Sequence, residues 1–163
     1  MSLWHSQRLF YFILKLEDEI QQQKFISIQQ KLMLNLIYTS NWVNNKHDFL
    51  FKDSKITTQQ YNVLRILRGQ HPNPCSIKLI RERMLDRMSD ASRIVDKLNS
   101  KKLVVKRECP NDRRIVDVVI SEKGLELLKS LSYIDKTAEK SFKTLSDKEI
   151  NDLNNLLDKL RDN

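Results

Sequence analysis

Apolar side chains recur along this chain at helical spacing, interrupted once by two short β-branched runs. Residues 3–20 are dense in large apolar residues, and Leu9, Ile13, Leu16 and Ile20 repeat at i, i+4, i+7 and i+11. A second pattern, with Ile28, Leu32, Leu36 and Val43 on one stripe, predicts a helix over 24–47 that stops at the polar Asn44–Asp48 group. Asp53–Thr57 reads as a loop. Thr57 with Gln60 is a capping-box signature and predicts a helix over Thr58–Arg68, ended by Gly69. His71-Pro-Asn-Pro then forms a rigid turn. Two apolar-periodic segments stand close together, Ile77–Met84 and Met88–Leu98, with Ser76 and Ser89 as candidate caps. The β-branched runs Leu103–Val105 and Ile115–Ile120 flank a polar, basic tip, Lys106–Arg114. Beyond them a helix is predicted from Glu122 through Phe142. A second capping box, Ser146 with Glu149, opens a last helix over Asp147–Arg161.

The fold class that follows is mostly α, with one small β hairpin. Helix, turn, helix and basic hairpin over Ser76–Gly124 has a mechanical use. The second helix fits a major groove, and the hairpin reaches sideways along the duplex. Charge points the same way. The chain of 163 residues carries a formal net charge of +8, which favours an anionic partner, nucleic acid before a membrane surface. Its longest apolar run, near Leu9–Leu14, is far short of the roughly 20 residues a membrane helix needs. Cys75 and Cys109 are the only cysteines, too few for a disulfide scaffold, so a reducing, cytoplasmic setting is expected.

On the second helix of the central stretch, Ile94, Val95 and Leu98 form the buried side, while Ser89, Asp90, Ser92, Arg93 and Lys97 face outward. Small hydroxyls at a helix start allow close approach to DNA, and the helix N-terminus favours a phosphate. Arg93 is placed to fork onto a guanine edge. Lys101, Lys102, Lys106, Arg107, Arg113 and Arg114 cluster around the hairpin, and Asp112 can hold one arginine while the other projects into a narrow minor groove.

Asp112-Arg-Arg-Ile-Val-Asp-Val-Val-Ile-Ser-Glu-Lys-Gly124 closely resembles the wing and following helix start of the MarR family of bacterial transcription regulators. Ser92-Arg-Ile-Val-Asp-Lys-Leu98 matches that family's recognition helix, and Thr58-Gln-Gln-Tyr-Asn-Val-Leu64 its helix entry. The resemblance implies one domain over 1–163, with a winged helix-turn-helix lobe over about 55–121 and dimerisation helices over about 1–48 and 122–163. It implies a homodimer on a pseudo-palindromic operator, acting as a repressor. DNA contacts carry over to Ser89, Asp90, Ser92, Arg93, Lys97, Arg113 and Arg114, with Asp112 organising the wing. A small aromatic or anionic effector is implied too, for which Trp42, Phe49, Phe51 and Tyr61 are candidates, each also a candidate for the core. The family often places Gly where this chain has Leu85 and Lys102, and segment 1–23 is longer than the family core needs.

No enzyme is expected, and no cofactor. His5, His47 and His71 are scattered, and His71 with Cys75 lacks the four ligands of a structural zinc site. Neither cysteine has a partnered histidine. Cys109, in the basic hairpin, is the candidate for a redox-sensing regulator. The other alternative is a winged helix that contacts protein rather than DNA.

Overall fold

The computed structural model describes residues 15–109 and 112–162, apart from the side chains of Cys109 and Asp112–Arg114. The predicted helix over 3–20 lies outside the described residues except for its last part, a single turn α1 (Leu16–Glu19). Helices α2 (Ile28–Leu50) and α3 (Thr58–Gln70), strand β1 (Cys75–Ser76), helices α4 (Ile77–Arg83) and α5 (Ala91–Ser100), strands β2 (Val104–Cys109) and β3 (Asp112–Ile120), and helices α6 (Glu122–Ser130), α7 (Tyr133–Glu139) and α8 (Asp147–Arg161) follow. The fold is mostly α with one small sheet, as the sequence predicts.

The chain divides into two compact units, 1–44 and 45–163. In the first, Lys31 pairs with Glu17, and the Tyr38 hydroxyl donates to Glu19 Oε2 at 2.6 Å. The ammonium of Lys31 holds the Glu17 carboxyl below its ordinary range. These contacts tie the α1 turn to the long helix. Helix α2 buries no residue, and its Ile28, Leu32 and Ile37 are exposed.

The second unit is built on α3. Val63, Leu64 and Leu67 of that helix are buried with Ile80 of α4, Val95 and Leu98 of α5, Val118 and Ile120 of β3, and Leu128 and Ile134 beyond them. Each such aliphatic side chain contributes roughly 1.5–3 kcal/mol on leaving water. Tyr61 and Arg65 reach from α3 to Asp135 of α7, the guanidinium at 2.8 and 2.9 Å from the two carboxylate oxygens. The sheet has the order β1-β3-β2, all antiparallel; Val104 faces Ile120 and Cys75 faces Val118. The two-residue strand β1 is too short to show in the sequence.

The caps predicted at Thr57, Ser76 and Ser146 all form. Thr57 with Gln60 and Ser146 with Glu149 are reciprocal capping boxes, and Ser76 accepts from the Leu79 amide. Ser121 caps α6 in the same way, accepting from the Gly124 amide. Several boundaries differ. Helix α2 passes through Asn44–Asp48 to Leu50, because a polar run without Gly or Pro leaves the backbone ladder intact. Helix α3 does not stop at Gly69; it ends at Gln70, since His71 precedes Pro72 and is extended at ψ 134°. The single helix predicted over 122–142 breaks at Leu131–Ser132 and finishes in a 3-10 turn over Lys140–Phe142. There the Ser130 hydroxyl donates to Leu127 O at 2.8 Å, a carbonyl that also accepts the Leu131 amide at 3.0 Å. Helix α5 starts at Ala91, and Asp90, not Ser89, is its N-cap.

The two missing turn glycines have different outcomes. Leu85 lies in the α4–α5 turn and is not among the positive-φ residues. Lys102 takes the left-handed conformation, φ 62°, that glycine adopts without a Cβ penalty. The Leu103 amide donates to Leu98 O at 3.0 Å and the Lys102 amide to Asn99 O at 2.9 Å, so α5 ends in a Schellman motif with lysine in the glycine position. Lys102→Gly is therefore expected to stabilise the protein by about 1 kcal/mol, the left-handed penalty less the added chain entropy of glycine. Urea denaturation of both proteins measures it; an equal or lower midpoint contradicts the strain.

Candidate nucleic-acid interface

Helix α5 buries Ala91, Val95 and Leu98 and leaves Ser92, Arg93, Asp96 and Lys97 exposed. That is the i, i+4, i+7 split of an amphipathic helix. Its N-terminus is closed by the chain itself: Asp90 Oδ1 accepts from the Arg93 amide at 3.0 Å. Asp90 thus serves as a cap. Ser89 is half-buried, and its hydroxyl donates to Asp86 Oδ2 at 2.6 Å. Of the five outward residues predicted on this helix, Asp90, Ser92, Arg93 and Lys97 are exposed and Ser89 is half-buried; Asp90 and Ser89 also hold the helix entry.

Asp86 organises that entry. Besides the Ser89 hydroxyl, its carboxylate accepts from the Met88 amide at 3.0 Å. These hydrogen bonds, that from Ser89 first, lower the Asp86 pKa from its ordinary value. The contribution of this turn is complete above the ordinary carboxylate range and is lost as pH falls through the lowered value.

The β2–β3 hairpin is tied to α5. Lys106 Nζ of β2 lies 2.6 Å from Asp96 Oδ1. Such a surface pair adds little stability, about 0–1 kcal/mol, but it fixes where the strand leaves the helix. The tip residues Pro110 and Asn111 lie outside the described residues, as do the side chains of Asp112, Arg113 and Arg114, and with them the expected wing organisation. The backbone of Asp112, Arg113 and Arg114 opens β3, and a bulge interrupts the register between Glu108 and Cys109.

The basic cluster read from sequence divides by role. Lys101 Nζ donates to Lys55 O at 2.6 Å and to Gln60 Oε1 at 3.0 Å, and Lys123 Nζ donates to Lys101 O at 3.1 Å. Lys101 is thus a structural clamp, and Lys106 a helix-to-strand tie. Lys102 and Arg107 are exposed. Sequence spacing alone does not distinguish these fates, because the partners lie far along the chain.

Cys75 is buried in β1, and burial pushes its thiol pKa up, which disfavours the reactive thiolate. Among the described residues no group of His, Cys, Asp and Glu could hold a metal ion, and no helix is long and apolar enough to cross a membrane. The aromatic candidates part company. Phe51 and Tyr61 pack against each other in the core with ring centroids 4.8 Å apart. Phe49 is exposed, and Trp42 lines a small cleft within the first unit beside Leu16 and Tyr38. A larger cleft of about 540 Å³ opens in the second unit. Ile56, Leu103 and Leu127 line it together with Lys55, Lys101 and Lys123. The cleft itself gave no signal in the sequence, since only the fold brings Lys55, Lys101 and Lys123 together.

The MarR family model matches residues 54–115, which run from the loop before α3 into β3. The crystal structure of a MarR transcription factor from Planctomyces limnophilus is 30% identical, with a TM-score of 0.64, over 83% of this chain and 98% of that one. This chain belongs to the MarR family. The HTH-type transcriptional regulator MhqR of Bacillus subtilis is 28% identical over 76% of this chain and 83% of its own length. The organohalide-sensing regulator RdhR-CbdbA1625, solved with 2,4-dichlorophenol bound, shares the fold at a TM-score of 0.75 and 18% identity, over 93% of this chain and 87% of that one. These relatives are regulators of transcription, not enzymes, which agrees with the MarR resemblance of the Asp112–Gly124 stretch.

With Asp90 closing this MarR helix, Asp90→Ala is expected to cost roughly 0.5–2 kcal/mol of stability. Thermal and urea unfolding measure this, and an unchanged stability would remove the capping role.

Proposed function

We propose that this protein is a sequence-specific duplex-DNA-binding regulator of transcription, a homodimeric repressor released by a small aromatic or anionic molecule. One observation carries the DNA-binding part: an exposed Ser92-Arg93-Lys97 face on a capped helix whose flank is joined by Lys106–Asp96 to a basic hairpin. Helix and hairpin therefore approach a duplex as one piece, α5 in the major groove and the hairpin in the adjoining minor groove. Membership of the MarR family supports the same reading.

Dimerisation by the terminal helices is supported by α8, which buries no residue and exposes Leu153, Leu156 and Leu160 along one stripe. Effector release draws on the 2,4-dichlorophenol bound by RdhR-CbdbA1625 and on the lysine-edged cleft. An anion there competes for the Lys101 ammonium, which otherwise holds the turn after α5. It changes DNA affinity only as far as it binds the DNA-competent and incompetent states differently.

Substitution of Arg113 and Arg114 by Ala together is expected to weaken DNA binding and to flatten the slope of log affinity against log salt by about 0.9 for each phosphate no longer neutralised. Arg93→Ala is expected to reduce the preference for specific over random duplex by about 1–3 kcal/mol. Fluorescence anisotropy across a salt series reads both. Unchanged affinity and slope in the wing variant would sink the wing contact, and equal weakening on both duplexes would make Arg93 a phosphate contact.

A further inference from the structure

Two large apolar side chains stand in the turn that leads into α5: Leu85 is 88% exposed and Met88 94%. Single exposed apolar side chains are ordinary on protein surfaces. These two differ because the turn holds their backbones in place. The Leu85 amide donates to Asn62 Oδ1 of α3 at 3.2 Å, and the Met88 amide to Asp86 Oδ1 at 3.0 Å. The second Asp86 oxygen accepts from Ser89, and Asp90 caps the helix that follows. Every short polar side chain of 86–90 is thus spent on shaping the turn, while the apolar ones point to water. The same segment carries Arg81, Arg83, Arg87 and Arg93 on exposed positions, against Glu82 and the engaged Asp86 and Asp90. An apolar pair on so cationic a segment suits a polyanion with apolar spots on its surface.

Duplex DNA has such spots in its major groove. Thymine is the one base with a methyl group at C5 there, and apolar side chains read it by contact. We propose that Met88, seconded by Leu85, packs against thymine methyl groups at the mouth of the major groove and so sets part of the sequence preference. This rests on the DNA-binding reading above and adds to it a base that the polar face of α5 does not specify. Residues at the start of a helix inserted in the groove are the ones that meet base edges, and Met88 lies just before that start. An unbranched thioether chain adapts to the groove wall without a fixed rotamer.

The test uses the full-length protein and the duplex it selects from a random library. Each thymine of one half-site is replaced in turn by uracil, which lacks the C5 methyl and keeps the same hydrogen-bonding edge. Wild-type protein is expected to bind about fourfold more weakly at one or two of these positions, the change that burial of a single methyl carries. Met88→Ala is expected to bind the thymine duplex more weakly and to be indifferent to uracil at that position; Met88→Leu should keep the methyl sensitivity. Because Met88 is exposed, thermal unfolding of these variants should match the wild type. A uracil effect that is equal in wild type and Met88→Ala, or absent at every thymine, overturns the proposal while leaving DNA binding intact. Failure of the wild type to select any duplex overturns both.

Discussion

The turn after α5 is the constraint on which the second unit depends. Its carbonyls and side chains are gripped from three sides. The Ser121 hydroxyl donates to Lys102 O at 2.8 Å, Lys123 donates to Lys101 O, and Lys101 itself reaches Lys55 O and the buried Gln60. Gly124 lies so close that a Cβ there would meet Leu103 O at 2.3 Å. The Ser-Glu-Lys-Gly sequence is therefore a joint: Ser121 caps α6 and holds the turn, Lys123 ties it, and Gly124 lets the helix approach it. Through this joint α5, the hairpin and α6 keep one mutual geometry. Lysine at 102, in a left-handed conformation, is tolerated because these contacts over-determine the backbone.

Function draws on that rigidity. A helix that reads base edges must be aimed, and so must the hairpin beside it. Here polar groups hold the helix in place: Asp86 and Asp90 at its entry, Asp96 with Lys106 on its flank, Lys101 at its exit. Ser92, Arg93 and Lys97 on the helix and the apolar pair before it remain exposed. Net positive charge brings a polyanion close; the division of labour among the charges decides what is then recognised. The lysine-edged cleft borders the same turn.

Much of this is legible in the sequence, because the signals involved are local. Capping boxes at Thr57 and Ser146 act within one helical turn, and the period of the apolar residues marks α3, α5 and α8. The Asp-Arg-Arg to Ser-Glu-Lys-Gly wording points to the family. What is not legible depends on distant partners. Lys101 and Lys106 read only as members of a basic cluster around the hairpin until Lys55, Gln60 and Asp96 are placed beside them. Asp90 and Ser89 read as outward-facing, and Asp90 is exposed; only the fold shows that they also bond the Arg93 amide and Asp86. Phe51 and Tyr61 read as candidates for both an effector site and the core, and they are core. The break at Leu131–Ser132 is announced by no Gly or Pro in the sequence.

On this reading, α5 and the hairpin of two copies read duplex DNA as a two-fold pair. Selection from a random duplex library, followed by footprinting of the enriched sequence, tests it most directly. The expected result is a pseudo-palindrome whose half-sites lie about one helical turn apart, roughly 34–36 Å, with protection that fades as salt is raised. No enriched sequence, or a single unpaired half-site bound without salt dependence, would contradict it and favour a winged helix that docks on protein.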